Sequence, residues 1–433
     1  MTGLNQNDLI NLNKIYHTNT ASLHFIYGAS KSGKTTFIRN FIVKKNILYL
    51  SFSSMLAKVQ FPNIALNIAK KFNIKTSYQL YINFENILLL IDELISDEKI
   101  VVVLDDFDNL LKIDKTALEI LIKIWSENLK KKNIQMIILS SVKFDDNLTK
   151  KITKISSFNF NMQKIYFADM IQKADAKILE KIYIYSCLGS SNHILSSYDK
   201  KLGFIKNLYN ISMNTLSPFY NYGIDYLKIN ISDTATYATL LYAIAIGNNK
   251  IGEIALYLGV NSTYLTRYIK KLQDLMIIKK ELPLKDKQKF SKLGRYHIED
   301  NFLKFWFCYI YPNKISLDMK KHTPIIKHID NSIVENIILP IYKELIKKLL
   351  KDNSLALLDY ELSHIGSWWD NNGNNIDVIS YNSKNITFIK VLWEQSDITE
   401  QEYDNLKIIS SNYKTNLKRN YIIISKNTYL NNF

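Results

Sequence analysis

Arginine is the scarcest charged residue in this 433-residue chain: only Arg39, Arg267, Arg295 and Arg419 occur among 56 basic residues. None lies between Asn40 and Thr266, so that interval has no planar, bidentate guanidinium. Cysteine is nearly absent too. Cys187 and Cys308, 121 positions apart, rule out a disulfide-dense scaffold and read as two reduced, buried thiols of a cytoplasmic protein. No apolar run reaches the roughly 20 residues of a membrane-spanning helix, and the N-terminus lacks the charged and apolar regions of a secretory signal. No membrane partner is therefore expected. With 47% hydrophobic residues, global disorder is excluded, and the length predicts about three domains.

The net charge is +16 and the pI near 9.3, which suits a polyanionic partner such as nucleic acid. The competing explanation is compositional. The excess is nearly all lysine in a chain rich in Ile, Asn, Lys and Tyr, as an AT-rich genome produces.

Only twelve glycines are present, which makes their one informative spacing sharper. Gly28-Ala29-Ser30-Lys31-Ser32-Gly33-Lys34-Thr35, continuing into Thr36, fits the phosphate-loop pattern G-x-x-x-x-G-K-[ST]. The apolar run Leu23–Tyr27 enters it, and Thr36–Arg39 reads as a first helical turn. Glycines let the backbone curl so that N–H groups point at a polyphosphate, and the helix N-terminus adds its positive field. Lys34 would reach the β- and γ-phosphates of ATP, and Thr35 would hold Mg²⁺. The alternative is an ordinary Gly/Ser turn before a helix.

Strand-like runs at Leu23–Tyr27, Ile47–Phe52, Ile100–Leu104 and Met136–Leu139 alternate with helical stretches such as Tyr78–Ile95 and Leu111–Leu129. This predicts an α/β three-layer sandwich around a mostly parallel sheet, with ligand at the strand C-terminal ends. Asp105 and Asp106 end the third run, about 70 residues after the loop. Asp105 would bind Mg²⁺ through water and Asp106 would be the catalytic acid that polarises attacking water. Ser140, ending the fourth run, is a candidate sensor of the γ-phosphate.

His24–Arg39, Val101–Leu110 and Ile134–Ser141 together resemble the archaeal-type ATPase family of AAA-like P-loop proteins. The resemblance implies a helical lid, about 164–232, after an ATPase core at 1–163. Its Gly-Gly-x-Pro signature survives only as Leu188-Gly189-Ser190-Ser191. It also implies an arginine after the fourth strand that reaches a neighbouring copy's nucleotide in a homo-oligomer. The stretch from Lys143 to Phe160 has none, and Asp106 stands where Glu is usual, so hydrolysis is expected to be slow.

From residue 233 to 312 the pattern becomes three short helices, Thr234–Ile246, Lys250–Leu258 and Ser262–Leu275. Met276–Leu284 and Arg295–Ile298 then read as a two-stranded wing, giving a winged helix-turn-helix. The third helix would enter a DNA groove through Thr263, Thr266, Arg267 and Lys270, with Arg295 on the wing. Between Ser262 and Arg295 there are ten Lys/Arg against three Asp/Glu. Use of the module for protein contact is the alternative. Phe302, Phe305, Trp306 and Tyr309 have helical spacing and are expected to be core. A winged helix leading into an aromatic helix that ends Tyr311-Pro312-Asn313 resembles the same family.

In 313–433, helices are expected at Ile325–Leu339 and Ile341–Lys351, separated at Pro340. Glu361–Asp370, Gly373–Ile379 and the strand-like Ile386–Trp393 resemble the α+β restriction-endonuclease-like domain that commonly ends these ATPases. Carried over, the acids are Glu335 and Asp377, and the Glu-x-Lys pair anchored by Trp393 becomes Lys390 and Leu392. An ammonium cannot ligand Mg²⁺ and a leucine can orient nothing, so a nuclease fold without nuclease activity is expected. The functional expectation is an ATP-dependent switch coupled to DNA binding. The alternatives are an ATP-dependent nuclease or defence effector, and an ATP-gated protein scaffold.

Overall fold

The structure, a computed structural model, describes residues 6–142, 144, 146–161, 177–284, 286, 291–351, 355 and 357–426. They fall into two compact units, one within Met1–Ile165 plus Asp274–Met276, the other within Tyr166–Gln273 and Ile277–Phe433. The three later segments expected from the sequence thus share one unit.

The first unit runs α1 (Gln6–Tyr16), β1 (Ser22–Tyr27), α2 (Lys34–Phe41), β2 (Ile47–Ser51), α3 (Ala57–Phe72) and α4 (Phe84–Leu94). It continues through β3 (Ile100–Asp105), α5 (Phe107–Ile113), α6 (Ala117–Glu127), β4 (Ile134–Ser140), α7 (Asp146–Ile155) and β5 (Phe158–Asn161). The strands form one parallel sheet in the order β2-β3-β4-β1-β5. Alternation decides which face each side chain covers. Phe25, Val102, Leu104, Met136 and Ile138 pack with α3, α4 and α6, while Ile26, Val101, Val103, Ile137 and Leu139 pack with α1 and α2. Every residue of β3 and β4 is buried, as continuous apolar runs in a covered parallel sheet must be. Two expected helices are shorter than their patterns. Asn83 caps α4 by accepting from Asn86 N–H, and Asp114 interrupts Leu111–Leu129 by accepting from Thr116 N–H.

The second unit opens with α8 (Ile178–Leu188) and α9 (Tyr222–Lys228). Then α10 (Thr234–Ala245), α11 (Ile251–Leu258) and α12 (Ser262–Asp274) lead into an antiparallel ribbon of β6 (Ile278–Glu281) and β7 (Arg295–Ile298). Gly259, at φ 64°, makes the left-handed turn between α11 and α12. The aromatic helix α13 (Asn301–Phe305) continues as a π-turn, Trp306–Ile310, and its four spaced aromatics are fully buried. Trp306 lies against Gly223, where a Cβ would stand 2.2 Å from the ring, so only glycine fits.

Helices α14 (Thr323–Ile333) and α15 (Leu339–Lys351) are joined by a second π-turn, Val334–Ile338, rather than separated. Pro340 lacks the N–H of a regular helical bond, and the widened turn preceding it absorbs that loss without a break. The chain closes with β8 (His364–Trp369), β9 (Asn375–Tyr381), β10 (Asn385–Val391), α16 (Glu400–Ser411) and β11 (Lys418–Ile424). The sheet order is β11-β10-β9-β8, antiparallel except for the β10–β11 pair, whose crossover is α16.

One polar cluster interrupts the first core. His24 is fully buried on β1, with Nε2 3.1 Å from both Ser22 Oγ and Gln135 Nε2. Burial, and secondarily the Lys99 charge, lowers its pKa to about 4. The unfolded chain, with histidine near 6.5, therefore binds more protons between these values, so acid destabilises the fold. Urea titrations should lose about 2 kcal/mol from this group between pH 7 and pH 5, and His24→Asn should flatten that slope.

Candidate functional site

The carboxyl edge of the first sheet gathers the loop after β1, the acids after β3 and the end of β4. Gly28 N–H donates to Ser140 O at 3.2 Å, tying the loop's start to β4. Lys31 (φ 62°) and Gly33 (φ 93°) adopt left-handed conformations that curl the segment. Gly33 precedes α2 without a side-chain cap, so N–H groups of the first turn remain available in the concavity.

Lys34 is 6% exposed. Its Nζ donates to Gly28 O at 2.7 Å and Ala29 O at 3.0 Å. Burial lowers its pKa to about 8, opposed by the charges of Asp108, Asp105 and Asp106 in that order. Thr35 Oγ1 donates to Asp105 Oδ2 at 3.4 Å, joining the helix start to the end of β3. Asp105 Oδ1 accepts from Asp106 N–H at 2.8 Å. Asp106 sits in a left-handed conformation (φ 55°), a strained position that Asp tolerates better than most residues. Its burial, then the charges of Asp105 and Asp108, raise its pKa to about 6.

Two participants escaped the sequence reading. Tyr49, on β2, donates its phenol to Asp105 Oδ2, the oxygen that also faces Thr35. Burial and then this bond raise its pKa above the ordinary phenol value. Asp108, in the first turn of α5, accepts from Ser141 N–H at 2.8 Å and Ser140 Oγ at 3.4 Å. A phenol within the apolar run of β2 and a third acid in Asp105-Asp106-x-Asp108 were the available signals. Ser140 is fully buried, and its hydroxyl donates to Val142 O at 2.8 Å, bracing the end of β4.

In the second unit, Thr263, Thr266, Arg267 and Lys270 are all exposed on α12. The Arg267 guanidinium lies 4.6 Å from the Tyr268 ring centroid and 5.3 Å from that of Tyr264, and Nη2 donates to Tyr268 Oη at 2.7 Å. Arg295 departs from the expected pattern. Its guanidinium lies 4.2 Å from the Trp369 ring centroid and donates to Asn375 Oδ1 at 3.0 Å, holding the ribbon to the C-terminal sheet. Trp369 Nε1–H donates to Leu293 O at 2.7 Å, and Leu284 N–H to Ser367 O at 2.8 Å, on the same border. Lys347 of α15 adds an ion pair with Glu281 of β6 at 3.0 Å.

The expected pairing of Glu335 with Asp377 is also revised. Glu335 is exposed on the π-turn, and the residue that reaches Asp377 is Lys343, roughly 12 Å further along the helix axis. Lys390 is half-buried on β10, one residue before Val391, whose N–H donates to Asp377 Oδ2 at 2.9 Å. No group of three His, Cys, Asp or Glu that could hold a metal ion occurs among the described residues.

Residues 6–198 match the family described as an ATPase domain predominantly from Archaea. The chain carries an archaeal-type ATPase domain. Residues 306–406 match a family of archaeal and bacterial proteins of unknown function. An uncharacterized protein of Methanocaldococcus jannaschii is 28% identical over 411 residues, covering 90% of this chain and 87% of that protein. Among solved structures, a Walker-type ATPase of Pyrococcus abyssi is 13% identical, with a TM-score of 0.48, over 70% of this chain and 95% of that one. A signal-transduction ATPase with numerous domains and a tetratricopeptide repeat sensor, from Pyrococcus horikoshii, is 12% identical. It covers 80% of this chain and 50% of that one, with a TM-score of 0.28. In the ATPase domain, no helix among the described residues is long and apolar enough to cross a membrane, nor is there one elsewhere among them.

Tyr49→Phe removes one charge-assisted hydrogen bond and keeps the ring. It should destabilise the ATPase unit by about 1.5–3 kcal/mol in denaturant titration, with the loop residues unchanged.

Proposed function

We propose that the chain is a nucleotide-dependent switch in which ATP and Mg²⁺ at the phosphate loop govern DNA binding through the second unit. The carrying observation is the convergence of Lys34, Thr35, Asp105 and Asp106 at one edge of the parallel sheet. A hydroxyl beside a carboxylate is the oxygen donor set that Mg²⁺ takes, together with phosphate and water. Backbone N–H groups from Gly28 to Thr36 would receive the phosphates, and Lys34 would leave its loop carbonyls for the β- and γ-oxygens. Asp106, partly protonated near neutral pH, would orient or accept a proton from attacking water. Without an arginine between Asn40 and Thr266 to stabilise the leaving charge, turnover would be slow and the bound states long-lived.

In this reading α10, α11, α12 and the β6–β7 ribbon make a winged helix whose DNA contacts come from α12 alone. Thr263, Thr266, Arg267 and Lys270 support it through their exposure and local charge. The C-terminal αβββαβ arrangement supports a nuclease-like fold, and Asp377, its one buried acid among the described residues, supports the absence of cleavage. An ATP-gated protein scaffold has its own supporting observation, because Leu256 is 85% exposed and Tyr257 47% exposed on α11.

At a hundred times its dissociation constant, Mg-ATP should stabilise the chain by about 2.7 kcal/mol in thermal unfolding, and Lys34→Ala should abolish that gain. A chain indifferent to ATP and GTP by calorimetry ends the switch reading. DNA affinity should fall by about a decade or more over a few-fold rise in salt, and should differ between ATP, ADP and nucleotide-free states. Salt-independent retention of protein partners would favour the scaffold. Metal-dependent plasmid cleavage abolished by Asp377→Ala would establish the nuclease alternative.

A further inference from the structure

Asp377 is the one buried carboxylate of the C-terminal sheet among the described residues, at 4% exposure. Both of its oxygens receive donors from this chain. Oδ1 takes the Lys343 ammonium at 2.7 Å and the Asn375 amide at 3.4 Å, and Oδ2 takes Val391 N–H at 2.9 Å. Burying a lone carboxylate is costly, and a carboxylate so placed needs a cation. In a metal-dependent hydrolytic site that cation is a divalent ion shared with further oxygen ligands. The further ligands are missing here: Glu335 is exposed on the distant π-turn and Lys390 brings a second ammonium to β10. The outer side of the site is bordered by the ribbon, since Arg295 bonds Asn375, which itself bonds Asp377.

We propose that the Lys343 ammonium stands in the position a divalent cation would take at Asp377, making the C-terminal sheet a metal-independent mount for the β6–β7 ribbon. The proposal rests on the nuclease-like reading of this fold and adds the residue that replaced its metal. The charge balance is that of a single ion pair. One ammonium neutralises one carboxylate, and neither a second acid nor an activated water is required.

The test uses the full-length chain carrying Lys34→Ala, which silences the phosphate loop. Binding of Mn²⁺ is followed by the paramagnetic signal of the free ion, and unfolding by thermal melts. With Lys343 intact, Mn²⁺ should bind no more tightly than to an Asp377→Asn version and should not move Tm. Lys343→Ala should lower Tm by roughly 5 °C or more, because it strands a buried charge. Millimolar Mn²⁺ should restore much of that loss, and adding Asp377→Asn should remove the response. Asp377-dependent Mn²⁺ binding with Lys343 present would overturn the proposal, and so would a Lys343→Ala chain, folded or not, that Mn²⁺ leaves unchanged. Plasmid cleavage by the chain with Lys343 in place is a different outcome, because it would sink the inactive-nuclease reading itself.

Discussion

A buried ammonium facing three carboxylates sets the terms for the first unit. Lys34 pays a desolvation penalty that its loop carbonyls and the charges of Asp108, Asp105 and Asp106 help to offset. Those carboxylates can stand near it because a parallel sheet delivers the ends of β1, β3 and β4 to one edge. The arrangement raises Asp106 while Tyr49 and Asp106 N–H hold Asp105. Burial and the two neighbouring carboxylates thus raise the pKa of Asp106 through geometry alone.

The second unit solves a related problem in the opposite way. Asp377 also lies buried at the end of a strand-and-helix framework, but its compensating charge is supplied permanently by Lys343. In the first unit the balancing lysine opens α2, at the end of a loop whose amides suit an anionic ligand. In the second it lies on a 13-residue helix packed on the sheet, and Lys347, four residues later on that helix, clamps Glu281 of the ribbon. One site is built to exchange partners and the other to keep them.

How much of this was legible followed the sequence separation of the contacts. The candidate phosphate loop is a pattern of nine consecutive residues, and the apolar run before Asp105 announces a covered strand, so both stood out in the sequence. The α10–α12 boundaries matched to within a residue or two because Gly247, Gly259 and Asn261, whose side chain accepts from Thr263 N–H, punctuate them locally. Tyr49 and Asp105 are 56 positions apart, Arg295 and Asn375 are 80 apart, and Lys343 and Asp377 are 34 apart. Pairings of that kind depend on strand order and helix phase, which local pattern does not fix. The Ser140 hydroxyl direction was not legible either, since it depends on the turn to Val142 and on Asp108, 32 positions away.

The scarcity of arginine acquires meaning once each one is located. Arg295 bridges a ring and an amide oxygen, and Arg419 donates to the carbonyls of Ser410 at 2.8 Å and Tyr413 at 3.0 Å. Both are tasks for a planar fork, which a lysine cannot perform. Arg39 and Arg267 are the two exposed ones. Arg39 lies within electrostatic reach of Tyr49, and Arg267 lies over Tyr268. Lysines therefore carry most of the exposed positive charge, and they act as flexible point charges. If the proposed DNA contact holds, such a surface would offer few directional contacts to base edges, and a duplex bound here would be held mainly by its phosphates. Any sequence discrimination would then concentrate at Arg267, whose guanidinium is already oriented by its tyrosine neighbours.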